Sequence, residues 1–355
     1  RRGVKVGIFG LAYPGTPRVT MPAYVAHLRF ADDSVTSAPL PAKLRKGGAS
    51  VVVAVGHIPA ETDSTRKARG DIARLARGIK GVDGWFGGHS HNVVDDVIEN
   101  APVMIAGANG QWLAIADYTV DPVKRAVVTA ETSHRNMQIY ADEFPIDSAW
   151  VGHVERWNAE VGPVAAEVLG RSASPLDRNR PEASIGNFIC DAMRFSSGAD
   201  IALQNPGGMR ANMAAGTVTR AMVYDVMPFD NTIVTVELTG AEVRLALEQA
   251  LRGERITQVS GIRYVVNMDA PAMQRSVSIT NADGSPFDEA KTYKVAANNF
   301  MASGGDSYDA LASGRNKVDT GLVIRGAMEA FVRDRCKDGG TMNVKADGRI
   351  TSVRR

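Results

Sequence analysis

Cysteine is scarce in this sequence: Cys190 and Cys336 are the two in 355 residues. They stand far apart and follow no metal-ligand spacing, which excludes a disulfide scaffold and a cysteine-rich zinc module. Cys190 falls inside an apolar helical pattern and reads as a core residue. A pair so sparse leaves the redox compartment open. An excess of charge is also lacking, because 41 basic residues face 39 acidic ones. With no basic stripe, a nucleic-acid polymer is not an expected partner. No apolar run approaches the roughly 20 residues of a membrane helix, so no spanning segment is expected. Internal repeats and low-complexity tracts are absent. An initiating methionine and a signal peptide are absent too, and the strand-like run from Val4 to Gly10 follows Arg1 almost directly. That opening reads as the back part of a longer protein.

What remains is globular in composition. The apolar fraction of 44% and charged fraction of 23% are ordinary values, and the length allows two domains, each with its own core. Residues 1–145 alternate strand and helix. Val51 to Val55 is a β-branched run typical of a strand buried on both faces. Ile72, Leu75, Ala76 and Ile79 recur at helical spacing. Gly84-Trp85-Phe86, Pro102 to Ala106, Leu113 to Val120 and Ala126 to Val128 read as further strands or their approaches. A long mixed-polarity helix over 146–169, with Pro163 starting a new turn or kink, connects to an α+β domain over 170–355. There Ile185, Phe188, Ile189, Ala192 and Met193 form a helical stripe with Ser184 as its cap. Ile201 to Leu203 reads as a short strand, and Val234, Val236 and Leu238 as a half-buried one. Thr239-Gly240-Ala241-Glu242 is a capping box opening a helix to about Leu251. Tyr293, Val295 and Ala297 mark a late strand.

Three segments carry candidate chemistry. His57 ends one strand, and Gly87-Gly88-His89-Ser90-His91 follows another. Ends of adjacent parallel strands are where α/β folds place ligands. The two glycines permit close backbone approach, and an extended backbone points His89 and His91 to one side. Three neutral imidazoles converging there suit a divalent metal; the bland alternative is a loop histidine and a surface turn. Asn205-Pro206-Gly207-Gly208-Met209-Arg210 suits a type II turn. It also exposes backbone donors and ends in a planar cation suited to carboxylate or phosphate. Phe229, in Pro228-Phe229-Asp230-Asn231, and Phe300, in the polar stretch from Asn299 to Asp306, close over a core on the bland reading. On the sharper one they grip a flat base between two rings, with Asp306 accepting from ribose hydroxyls.

Taken in order, these motifs resemble the 5′-nucleotidase family. Ser184 to Phe188, Asp191 to Arg194, Asn205 to Arg210, Pro228 to Asn231, Leu238 to Gly240, Val259 to Gly261 and Asn299 to Asp306 match its C-terminal domain. Gly56-His57 and Gly88 to His91 match the later part of its calcineurin-like metallophosphoesterase domain. The implied fold is an α/β metallophosphoesterase-like partial domain, with mixed sheets layered with helices, followed by an α+β 5′-nucleotidase C-terminal domain. The resemblance implies that His57, His89 and His91 are ligands of a site for two divalent metal ions such as Zn, Mn or Co. It gives Phe229 and Phe300 the base, Asp306 the ribose, and Asn205 and Arg210 the pocket lining. A further pocket arginine of the family aligns with Asn179, between Arg178 and Arg180, and the role is assigned to Arg180.

The family's opening Asp-x-His, Gly-Asp and Gly-Asn-His motifs do not occur here in their order. No catalytic residue is therefore assigned in this chain, and three imidazoles alone are not expected to support turnover. The implied activity is metal-dependent hydrolysis of a nucleoside monophosphate by a periplasmic, secreted or cell-surface protein. Its partner is a nucleotide or nucleoside. Alternatives are 2′,3′-cyclic-nucleotide phosphodiesterase with 3′-nucleotidase activity, UDP-sugar hydrolysis, and nucleoside binding without catalysis. A related domain acting on sulfur compounds is disfavoured by the paired phenylalanines.

Overall fold

The computed structural model describes residues 3–179 and 181–353, and the chain divides into two compact units. In the first, strands β1 (Val6–Leu11), β2 (Val51–Gly56), β3 (Gly84–Phe86), β4 (Val93–Ile98) and β5 (Ala101–Ala106) form one sheet in the order β1-β2-β3-β5-β4. The first four in that order are parallel, and β4 runs antiparallel to β5. Val51 to Ala54 are all buried, as expected of a strand between parallel neighbours. Helix α1 (Asp71–Gly78) buries Ile72, Leu75 and Ala76, and Ile79 is buried just after it. Trp85 is fully buried, with Phe9 edge-on to it at 6.2 Å. Strands β6 (Trp112–Asp117) and β7 (Ser133–Gln138) pair antiparallel beyond this sheet.

The second unit takes in Arg18–Val25 and Ser148–Arg355, and in it α2 (Ser148–Ala165) runs unbroken through Pro163. No new turn begins there, because the proline falls in the last turn and removes only one backbone donor. The chain then leaves the helix for β8 (Val168–Ser172), which pairs with β10 (Gly216–Thr219). Strands β9 (Ile201–Gln204), β11 (Thr232–Thr239), β12 (Gln258–Ser260), β15 (Thr292–Asn298) and β16 (Arg315–Val323) form a mixed sheet ordered β12-β9-β15-β11-β16. A smaller sheet contains β13 (Ile262–Val266), β14 (Ser276–Asn281) and β17 (Ile350–Ser352).

Helix α3 (Ser184–Ser197) packs beside α6 (Ile324–Arg335), and one hydrophobic cluster joins them. Cys190 is fully buried in that cluster, and burial pushes its thiol well above the ordinary value. Ser184 does not cap α3. Its hydroxyl accepts instead from the Asp177 backbone N–H, and Ala183 occupies the cap position. Strand β11 is not half-buried: Ile233, Val234, Thr235 and Val236 are buried in succession. It lies between β15 and β16 and is covered on both faces, so strict alternation understated its burial. Helix α4 (Arg220–Val226) precedes β11, and α5 (Gly240–Arg252) follows it through the expected capping box of Thr239 and Glu242.

Candidate functional site

In the second unit, β9 and β15 are parallel neighbours, and both leave the sheet at the same edge. Antiparallel β11 enters at that edge, with Ile233 opposite Asn298. Topology alone therefore brings together three segments far apart in sequence: Asn205 to Arg210, Phe229 to Asn231, and Asn298 to Asp306. Amide side chains tie them. Asn205 Nδ2 donates to Asp306 Oδ2 at 2.7 Å, and Asn298 Nδ2 donates to Asn205 Oδ1 at 2.9 Å. Gln204 Nε2 also reaches Asn205 Oδ1, at 3.1 Å. Asn231 Nδ2 donates to Asn299 Oδ1 at 2.6 Å, linking the two phenylalanine segments. Gln204, Asn205, Asn298 and Asp306 are all buried, so each group needs these partners to offset its lost hydration.

The backbone is shaped for this cluster. Asp306 and Ser307 have positive φ of 55° and 68°, a conformation that costs a non-glycine residue energy and recurs at functional sites. Pro206 to Gly208 form a 3₁₀ turn, with Gly208 N–H donating to Asn205 O, in place of the expected type II turn. Gly207 is not in the positive-φ region. A side chain on Gly208 would stand 2.1 Å from Gln204 Nε2, so closeness, not φ, is what calls for glycine there.

Phe300 sits in a short turn capped by Asn298, half-buried against the core, and Gly305 comes so near that a Cβ there would stand 2.3 Å from its ring. Phe229 is 43% exposed. The Arg210 guanidinium carbon lies 5.9 Å from the Phe229 ring centre, and Arg325 Nη1 holds the Phe229 carbonyl at 2.6 Å. Arg255 Nη2 approaches Asp306 Oδ1 at 3.7 Å. Behind Asp306, burial pushes the Tyr308 phenol well above its ordinary value, and the Asp306 charge adds to this against Thr257's hydrogen bond. Arg180 lies outside the described residues. Its neighbour Arg178 bonds Asn212 Oδ1 and the Met209 carbonyl, beside Arg210 in the chain.

Sequence reasoning did not single out Gln204, Asn298, Asn231, Asn299 or Arg255. Amides directly ending apolar strands, as in Leu203-Gln204-Asn205 and Ala297-Asn298-Asn299, were an available signal. For Arg255 there was none, since only tertiary folding brings it near Asp306.

In the first unit, His57 and His89 follow the ends of adjacent parallel strands β2 and β3. Their rings stand 5.0 Å apart, edge to face, and Tyr13, just after β1, is 5.5 Å from His89. The glycines act as expected: a side chain on Gly87 would stand 2.8 Å from the Ile58 carbonyl. His89 and His91 are not on extended backbone, because both have positive φ, 71° and 58°, in a turn closed by Ser90 N–H on Gly88 O. The extended-strand argument for their common direction therefore fails, and His91 is exposed. Among the described residues, no group of three or more His, Cys, Asp or Glu side chains could hold a metal ion. The adjacent imidazoles suit part of a coordination sphere, since a divalent ion takes four or more ligands. They do not complete one.

No helix among the described residues is long and apolar enough to cross a membrane. The family description "5′-nucleotidase, C-terminal domain" matches residues 161–313. The trifunctional nucleotide phosphoesterase protein YfkN of Bacillus subtilis is 30% identical over 99% of this chain, which spans 25% of that protein. The cell wall protein Lmo0130 of Listeria monocytogenes is 24% identical over 98% of the chain, which spans 49% of it. The chain thus covers a quarter to a half of these relatives. The crystal structure of a 5′-nucleotidase precursor from Thermus thermophilus superposes with a TM-score of 0.84 at 26% identity, covering 99% of this chain and 73% of that one. The fold of this chain is accordingly an α/β metallophosphoesterase-like partial domain followed by an α+β 5′-nucleotidase C-terminal domain.

Proposed function

Because the chain belongs to the 5′-nucleotidase family, we propose that its second unit binds a nucleoside or nucleotide and that the complete protein hydrolyses a nucleotide phosphate ester. The observation that carries this reading is the buried Asn205–Asp306 pair, whose Asp306 lies in the segment of Phe300 that the Asn231–Asn299 bond ties to the segment of Phe229. Two rings offer stacking faces that every base can use, worth roughly 1–3 kcal/mol per base. Asp306, fixed by Asn205 and approached by Arg255, presents acceptor oxygens suited to ribose hydroxyls. Arg210 and Arg178 would supply cationic donors at the rim, with Arg180 as a further candidate. His57, His89 and His91 would contribute ligands to two divalent metal ions, the remaining donors coming from outside this set. Bound metal there would supply Lewis-acid stabilisation of the phosphoryl group. Likeness to a cell wall protein supports a location outside the cytoplasm, at the cell surface, secreted or periplasmic.

The test is calorimetric titration of the chain with adenosine and AMP in the presence of a chelator. We expect saturable binding of both, weakened about tenfold to hundredfold in Phe229→Ala without loss of folding. Absence of any nucleoside binding by the folded chain would refute the pocket. The name of the Bacillus relative, a trifunctional phosphoesterase, favours a second reading in which the phosphate position is not unique. Turnover of 3′-AMP, 2′,3′-cyclic AMP and UDP-glucose by the complete protein, set against AMP, separates the two.

A further inference from the structure

Helix α2 carries an apolar face that its own unit leaves uncovered. Trp150, Val154, Trp157, Val161 and Val164 are between 48% and 63% exposed. Their spacing of four, three, four and three is the a/d seam of a coiled coil, a pattern that selects for a second helix lying along it. The helix meets its own unit elsewhere: it touches α4, and Val151, Gly162 and Ala165 are its partly buried positions. The seam is also stiffened in advance. Trp157 Nε1 donates to His153 Nε2 at 3.2 Å, and the His153 ring stands edge-on to Trp150 at 5.7 Å. Side chains already held in place lose less entropy on association.

We propose that this seam pairs antiparallel with the same helix of a second copy of the chain, forming a two-fold dimer. The argument for this occupant is complementarity. With a two-fold axis passing between Glu155 and Arg156, Trp150 meets Val161 of the second copy and Val154 meets Trp157 of the second copy. By symmetry the same contacts repeat, so each of these four layers sets one large ring against one small side chain, as a filled core requires, while Val164 lies beyond the paired stretch. The flanking positions agree. His153 of each copy then lies beside Glu160 of the other on the same side of the seam, where the imidazole N–H can donate to the carboxylate. A parallel pair would instead oppose Trp150 to Trp150 and Trp157 to Trp157, and would place His153 beside Asn158. A lipid surface fits less well, because Glu155 and Glu160 outnumber Arg156 on this helix and no basic face accompanies the tryptophans. The 18-residue helix is about 27 Å long. A single helix pair of that length falls short of the roughly 1,200–2,000 Å² of a stable interface, so the dimer should be weak and concentration-dependent.

Sedimentation velocity of the full chain over a concentration series spanning the micromolar range tests this. The average mass should rise from one chain to two. Trp157→Glu should remain a single chain throughout, with unchanged circular dichroism and thermal midpoint, since this position is outside the core. His153→Glu should weaken dimerisation about tenfold by setting two carboxylates together, and His153→Glu with Glu160→Lys should recover it. That recovery distinguishes a contact across the seam from loss of His153 packing. A single-chain mass at every concentration would overturn the proposal, as would a dimer indifferent to Trp157→Glu or a double variant no better than the single one. Single-chain protein that binds phosphatidylcholine vesicles through Trp157 would also overturn it, and would assign the face to lipid.

Discussion

The two phenylalanines differ in what surrounds them, and the difference predicts different phenotypes. Phe229 is largely outside the core, so Phe229→Ala should leave the thermal midpoint nearly unchanged while weakening adenosine binding by roughly 1–3 kcal/mol, a tenfold to hundredfold loss. Phe300 packs on the core as well, so Phe300→Ala should lose both affinity and stability. Gly305 offers a sharper test of ring placement than either deletion. A Cβ there would stand 2.3 Å from the Phe300 ring, closer than any van der Waals contact allows. Gly305→Ala should displace the ring and lower nucleoside affinity at least tenfold, with no side chain removed. Calorimetric titration beside a thermal melt checks all three, and undiminished affinity in Gly305→Ala would mean that the Phe300 ring does not meet the base. Asp306→Ala has a separate cost, because it strands the buried Asn205 amide and adds about 1–3 kcal/mol of destabilisation.

At the scale of the element, the capping box of α5 gives the chain a defined acid response. Hydrogen bonds from Arg315 and from the Thr239 backbone lower the Glu242 carboxyl from its ordinary 4.5 to about 2. A carboxyl depressed by folding stabilises above its unfolded value, and that contribution is lost as pH falls through the folded one. Wild type should therefore hold an advantage over Glu242→Gln that is full above pH 4.5 and fades towards pH 2. Melting both proteins across that window checks it, and a gap independent of pH would show that the carboxylate charge is irrelevant to the cap. This element was legible in sequence because a capping box is local. So were α1, β2 and the stripe of α3, whose periodicity needs no knowledge of partners. Strand β4 was not. Its inward positions are Val94, Asp96 and Ile98, and the buried Asp96, bonded to Lys67 Nζ and Ala68 N–H, broke the apolar alternation. The nucleoside-site candidates Asn205, Phe229, Phe300 and Asp306 were legible through family motifs. The amides that bind their segments together were not, because β9, β15 and β11 become neighbours only in the folded sheet.

At the scale of the whole molecule, the hydrophobic clusters respect the division of the chain. One cluster, from Phe9 to Ile105, lies wholly in the first unit, and two others, from Leu169 to Ile350, lie wholly in the second. Cooperative unfolding follows the connectivity of a core, so calorimetry should resolve two transitions. Each can be assigned by a substitution confined to its own cluster. Trp85→Ala removes a fully buried ring from the first, costing about 3–5 kcal/mol, and should lower one transition by on the order of 10 °C. Phe188→Ala should do the same to the other, because its ring is fully buried beside Phe331 in the second unit. Ligand then supplies an independent assignment. Adenosine at one hundred times its dissociation constant adds about 2.7 kcal/mol to the state that binds it, equivalent to roughly 5–10 °C for a unit of this size. If the nucleoside pocket is built from the second unit alone, that rise should appear only in the transition sensitive to Phe188→Ala. A single endotherm shifted whole by either substitution would mean that both cores unfold together. A rise in the transition sensitive to Trp85→Ala would place the nucleoside on the first unit, against the pocket built around Asn205 and Asp306.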